Sequence, residues 1–166
     1  MISIRAAAAA DVPEIRAMIV ELAVYEREPD AVKASVADLE AALFGERPVA
    51  EAVIAEVVAE DPAGLTAIVG HAIFHETFST WEGRAGIWLE DLYVRPAHRG
   101  SGAGAALFRH VAALAVARGY TRYEWVALDW NQLALDFYTR FGARRHDQWK
   151  LHRLSGEALT AVAEGA

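Results

Sequence analysis

The sequence predicts one α/β domain, a mixed sheet of six to seven strands flanked by about four helices. At 166 residues and 54% apolar, the chain is long enough for one buried core and too short for two ordinary domains, so residues 1–166 are read as a unit. Three strand-like runs, 52–58, 67–78 and 85–94, follow one another with short breaks at Asp61-Pro62-Ala63-Gly64 and around Trp81-Glu82-Gly83. That pattern suits an antiparallel meander. The third run leads into a glycine-rich loop, an apolar helical stripe of Leu107, Val111, Leu114 and Ala115 ending at Gly119, and a β-rich stretch at 122–128. This is the pattern of a crossover between parallel strands.

The remaining elements follow from local signals. Residues 2–5 read as a short strand. Asp11-Val12-Pro13-Glu14 has the spelling of a capping box with proline in the first turn, and Ile15, Met18, Ile19 and Leu22 continue it as a helix. Ser35-Val36-Ala37-Asp38 opens a second helix carrying Leu39 and Leu43, stopped by Gly45 and Pro48. A helix over 131–141 stops at Gly142, residues 144–154 read as extended, and Ser155-Gly156-Glu157-Ala158 begins a short C-terminal helix.

Composition excludes several classes. No apolar stretch approaches the roughly 18 residues that span a bilayer, and the alanine tract 6–10 is too weakly apolar for a signal-peptide core, so a cytoplasmic protein is expected. Cys is absent, which removes disulfides, thiolate metal sites and a cysteine nucleophile. The six histidines show no metal spacing, and no Gly-x-Ser-x-Gly elbow is present. The net charge of -7 is uneven: residues 1–61 hold 13 acids against 5 Lys plus Arg. Such a field attracts a cationic small molecule and disfavours nucleic acid. Arg95, Arg99, Arg109 and Arg118 are expected to gather near the glycine loop and suit an anion.

The loop itself, Arg99-Gly100-Ser101-Gly102-Ala103-Gly104, reads as a phosphate cradle. Three glycines in five positions clear the backbone for close approach, and the helix that follows offers unpaired N–H groups and the positive end of its dipole. A Walker A loop would need Lys and Ser or Thr after the last glycine, where Ala105 and Ala106 stand. The spelling Gly100-x-Gly102-x-x-Ala105 meets the dinucleotide fingerprint, but five residues separate it from its strand and too little chain remains for a doubly wound sheet.

Arg99, Gly102 and Gly104 match the Arg-x-x-Gly-x-Gly signature of the GNAT acyl-CoA N-acyltransferases, which the chain resembles. Glu21-Leu22-Ala23-Val24-Tyr25-Glu26, Leu89-Glu90-Asp91-Leu92-Tyr93-Val94 and Trp130-Asn131 followed by Asp136-Phe137-Tyr138-Thr139-Arg140-Phe141-Gly142-Ala143 are similar to the diamine branch, the spermidine/spermine and thialysine acetyltransferases. The resemblance implies acetyl-CoA as cosubstrate, held by Arg99, Gly100, Ser101, Gly102, Ala103, Gly104 and Ala105. It implies backbone N–H groups at a bulge near Leu92, Tyr93 and Val94 for the thioester carbonyl, and Asn131 for the pantetheine arm. Tyr138 is implied as general acid beside the sulfur, and Tyr25, Glu26 and Asp147 as contacts for the amine. A homodimer is implied as well. The segment Arg144-Arg145-His146-Asp147-Gln148-Trp149 departs from the diamine enzymes in being shorter and more basic.

Acetyl transfer to an amine needs a base to strip the ammonium, whose pKa is about 10, and a donor for the departing thiolate. Regular alternation in residues 88–94 puts Glu90 with Trp88 and Leu92 on one face and Asp91 with Leu89 and Tyr93 on the other. Desolvation of a carboxylate in a covered strand raises its pKa, which makes Glu90 the candidate base and Asp91 a further amine contact. Asn131 and Tyr138, seven residues apart, fall about 20° out of register on one helical face. A phenol near 10 protonates a thiolate near 8.5 uphill by roughly 2 kcal/mol, so the site must assist Tyr138 or use its hydrogen bond alone. The reading is acetyl transfer to a small cationic amine by direct attack in a ternary complex. Thialysine or another amino acid is the alternative acceptor, and a non-catalytic CoA-binding regulator is the alternative of another class.

Overall fold

Four strand pairings build the first of two compact units, Met1–Val126, in the computed structural model, which describes residues 1–58 and 66–165. Strands β2 (Glu51–Val58), β3 (Thr66–Ser79) and β4 (Arg84–Val94) form the expected antiparallel meander, β1 (Ile2–Ala6) pairs antiparallel with β2, and β5 (Tyr123–Glu124) joins β4 in parallel. The turn read at Asp61-Pro62-Ala63-Gly64 lies outside the described residues. Among the described residues the sheet has five strands where six to seven were expected. β5 is only two residues long, because beyond Glu124 no further ladder forms with β4.

Helices α1 (Val12–Tyr25) and α2 (Val36–Phe44) precede β2, and α3 (Ala103–Ala117) makes the crossover. Residues 69–74 of β3 are all buried, which requires cover on both sides of the sheet. One side belongs to α1, where Ile15 and Met18 pack with Ile54, Ile73 and Tyr93. The other belongs to α3: a Cβ placed on Gly70 would sit 3.3 Å from Leu107 Cδ1. Leu107 and Val111 are fully buried there, and burial of each contributes about 1.5–3 kcal/mol. Phe108, Tyr123 and Trp125 extend that contact with ring centroids 4.9–5.2 Å apart.

Caps set the helix limits. Ser35 and Asp38 form the expected reciprocal box at α2, with Ser35 N–H donating to Asp38 Oδ2 at 2.8 Å and Asp38 N–H to Ser35 Oγ at 3.1 Å. Asp11 does not cap α1 as its spelling suggested. Its carboxylate turns back to accept from Ala8 N–H at 2.7 Å and from Arg5 at 2.7 and 3.0 Å, because the Arg5 guanidinium, held also by Glu56 at 2.9 Å, lies within reach. Charge-assisted bonds are the stronger option, and Arg5 holds the Asp11 carboxyl below its ordinary pKa.

The second unit, Ala127–Ala166, carries α4 (Gln132–Arg140) and α5 (Gly156–Glu164). Residues 144–154, expected extended, contain no strand. The run is mostly polar and charged, turns at His146 (Trp149 N–H to His146 O, 3.0 Å), and has no strand to complete a ladder among the described residues.

Candidate active site

The centre of the site is a break in the β3–β4 register. Ile73 lies opposite Asp91 and Phe74 opposite Leu89, so Glu90 is the extra residue of a β-bulge. The resemblance put the bulge near residues 92–94, yet Leu92, Tyr93 and Val94 pair regularly with Ala72, His71 and Gly70. Residues opposite one another share a face, so Leu89 joins Phe74 on the α3 side and Asp91 joins Ile73 on the α1 side. Glu90 also faces the α1 side: its Oε2 accepts from Trp88 Nε1 at 2.9 Å and lies 3.9 Å from His75 Nε2, and His75 pairs with Trp88. The two carboxylates expected on opposite faces therefore share one.

Their surroundings differ. The Glu90 side chain is 59% exposed, whereas Asp91 is pushed up to about 6 by burial first, then by Glu90 and Glu26. The desolvation anticipated for Glu90 falls on Asp91, because the bulge lifts Glu90 outward while Asp91 stays in the ladder opposite Ile73. Glu26 is raised by burial as well. The end of α1 and β4 thus bring three carboxylates close enough for Glu90 and Glu26 to act on Asp91. Such a cluster favours a cation.

The end of α1 supplies Tyr25 and Glu26, and two devices fix it. Arg27 takes a left-handed φ of 67° and closes the helix, with Arg27 N–H donating to Val24 O and Glu28 N–H to Ala23 O. Arg95 bonds Glu21 through Nε and Nη2 at 3.1 and 2.9 Å and Glu14 at 2.6 Å, while Tyr93 donates its hydroxyl to Glu21 at 3.1 Å. α1 is therefore tied to β4 just beyond the bulge.

The glycine loop follows. Gly100 and Gly102 have φ of 79° and 94°, and a Cβ at either would meet nothing within 4 Å. Gly102 is the N-cap of α3. Bare backbone in a left-handed conformation, open above and leading into a helix N-terminus, suits the diphosphate of a nucleotide cosubstrate. Ser101 Oγ donates to His98 O at 2.7 Å and steadies the turn. Arg99 donates Nε to Val94 O at 3.1 Å and lies over the rings of Tyr25 and Tyr93 at 4.8 and 5.8 Å. The expected arginine cluster does not form: Arg95 is spent on α1, and Arg118 binds Glu51 at the far end of α3, 15 residues or about 22 Å along its axis. Ion pairing within reach outcompetes a distant loop.

In the second unit, Asn131 is the N-cap of α4 and stands outside the helix, its Oδ1 accepting from Ala134 N–H at 3.2 Å. Tyr138 lies within α4 beside Phe137, with centroids 5.2 Å apart. Asp147 is exposed and paired with Arg145 at 3.0 Å. Strand alternation placed Trp88 on the face of Glu90, and the two do meet. Sequence reasoning missed His75 as their neighbour, since only the pairing of β3 with β4 brings it there.

A meander that passes through an open glycine loop into a parallel crossover, with carboxylates at a bulge beside it, defines an acyltransferase-type α/β protein. The acetyltransferase (GNAT) family model matches residues 16–143, and the chain belongs to that family. It is 39% identical over 165 residues to a thialysine N-epsilon-acetyltransferase of Sus scrofa, covering 96% of each chain. It is 34% identical over 163 residues to the spermidine/spermine N(1)-acetyltransferase-like protein 1 of Homo sapiens, covering 96% of this chain and 23% of that one. An integron cassette protein from the mobile metagenome of V. cholerae superposes with a TM-score of 0.77 at 25% identity, over 98% of both chains. The protein is thus an enzyme of the N-acetyltransferase type that acts on amines.

Proposed function

We propose that the chain, acting as one domain of residues 1–166, transfers acetyl from acetyl-CoA to a primary amine of a small cationic acceptor of the diamine or polyamine kind. The observation that carries the reading is the carboxylate group of Glu26, Glu90 and Asp91 gathered on one face by the bulge. It attracts an ammonium and gives it a base, Glu90, at the point of arrival. The open backbone at Gly100 and Gly102 fits the diphosphate, with Arg99, Ser101, Ala103, Gly104 and Ala105 completing the loop. Within residues 127–166 the reading assigns Asn131 to the pantetheine arm and Tyr138 to the departing thiolate. The amine lone pair forms the new C–N bond, the C–S bond breaks, and the sulfur takes up a proton. The reading assigns the thioester carbonyl to backbone N–H groups of Leu92, Tyr93 and Val94.

A second acceptor class, an amino acid such as thialysine, is favoured by the Arg145–Asp147 pair, which occupies the acid that would otherwise meet a distant ammonium. The name of the porcine relative points the same way. The reading extends to a cytoplasmic homodimer, as the family resemblance implies.

The test is a thiol-release assay with acetyl-CoA across diamines, spermidine, thialysine, ornithine and neutral amines. Turnover with di- or polyamines is expected. Turnover only with thialysine moves the acceptor to amino acids, and tight CoA binding without turnover on any amine makes the chain a non-catalytic regulator.

A further inference from the structure

His75 is a titratable side chain beside the candidate base, with Nε2 3.9 Å from Glu90 Oε2. Its Nδ1 lies 3.1 Å from Glu76 O, and a carbonyl oxygen only accepts, so Nδ1 carries the proton. Nε2 is then a lone pair. That lone pair faces Glu90 Oε2 at 3.9 Å, and the same Oε2 is pinned by Trp88 Nε1–H at 2.9 Å. Two acceptors face one another, an arrangement that repels when both are empty and attracts when one proton or one water lies between them. Oε1 is left to meet an incoming ammonium. His75 is 38% exposed, so a proton on its ring has a path to solvent.

We propose that His75 is a relay residue for Glu90, acting through it and not touching the acceptor. The inference rests on Glu90 being the base. The acceptor ammonium gives one proton to Glu90, which becomes a carboxylic acid. Once the carboxyl group turns its protonated oxygen toward His75, that proton passes through a bridging water to Nε2, giving an imidazolium and returning Glu90 to its carboxylate, and the imidazolium releases a proton to water or buffer. The amine keeps its electron pair for attack on the acyl carbon. Trp88 positions the carboxylate so that one oxygen faces the relay and the other faces substrate.

The experiment uses the full chain, acetyl-CoA and the best amine of the panel. His75→Ala in dilute non-imidazole buffer is expected to lower kcat about tenfold, less than the roughly 10²-fold or more of a group that meets substrate directly, because His75 acts through Glu90, with the KM for acetyl-CoA unchanged. Added imidazole should restore kcat in His75→Ala in proportion to its concentration and leave wild type unaffected. His75→Gln, which keeps a polar side chain but cannot take up and release a proton, should match His75→Ala without imidazole. An unchanged kcat, or a loss that imidazole does not repair, overturns the relay while leaving the acetyltransferase reading intact. If wild type acetylates no amine, that reading falls and the relay with it. Independently of turnover, 15N NMR of neutral His75 should show the Nδ1–H tautomer, and an Nε2–H tautomer overturns the proposal.

Discussion

Glu90 and Asp91 are consecutive residues of β4, yet both face α1, because Glu90 is the extra residue between the Leu89–Phe74 and Asp91–Ile73 pairs. Asp91 remains in the ladder and is desolvated, and Glu90 is lifted to the surface beside Trp88 and His75. One inserted residue therefore makes a pair of unlike carboxylates from a Glu-Asp dipeptide.

Asp91 is pushed up to about 6 from an ordinary 3.8. The folded state then binds more protons than the unfolded state between about pH 4 and 6, and stability falls as pH rises through that window. Asp91→Asn removes the effect. In urea titrations the stability of wild type relative to Asp91→Asn is expected to fall by up to about 3 kcal/mol from pH 4 to pH 7. A constant difference across that range contradicts the desolvation of Asp91.

His71 acts with the opposite sign. It is fully buried on the α1 side of β3 with neither ring nitrogen partnered among the described residues, and burial, then Arg95, lowers it from 6.5 to about 4. The unfolded state binds more protons between about pH 4 and 6.5, so stability is lost as pH falls through that range. His71→Leu should be more stable than wild type at pH 5 by on the order of 2 kcal/mol, with the gain shrinking toward pH 7. The His71 and Asp91 windows overlap and oppose each other, so wild type alone shows a flattened profile and only the variants separate them.

Gly102 tests the loop. A valine at its φ of 94° is strained wherever space exists, at a folding cost of about 1–3 kcal/mol. Its Cβ would also occupy the open side of the backbone, so calorimetry should show acetyl-CoA affinity reduced at least tenfold, about 1.4 kcal/mol. Gly119→Val carries a similar strain at φ 70° beyond the other end of α3 and is expected to lose stability without losing affinity. Equal affinity in the two variants removes the cradle.

Tyr138→Phe keeps the ring that packs beside Phe137 and deletes only the hydroxyl. Turnover is expected to fall by about 10²-fold with acetyl-CoA affinity unchanged, measured by thiol release and calorimetry. Unchanged turnover removes Tyr138 as the acid.

Much of the fold was legible. The apolar stripe of α1, the Ser35–Asp38 box and the glycine loop opening α3 are local signals written in adjacent residues, and each element formed where its signal stood. Errors arose where two distant groups compete. Asp11 spells a cap but lies beside Arg5, and Arg95 and Arg118 read as a cationic cluster but lie beside Glu21 and Glu51. Residues 144–154 read as a strand, but a strand exists only where another pairs with it.

By itself the sequence determined the order of elements, the helix boundaries set by caps and glycines, and the open backbone of the anion loop, since these depend on φ preferences and on neighbours within a few residues. Tertiary structure alone decided which face each carboxylate takes, which one is desolvated, and that His75 meets Glu90. Those are properties of register between β3 and β4, and a one-residue bulge changes them without altering any local propensity.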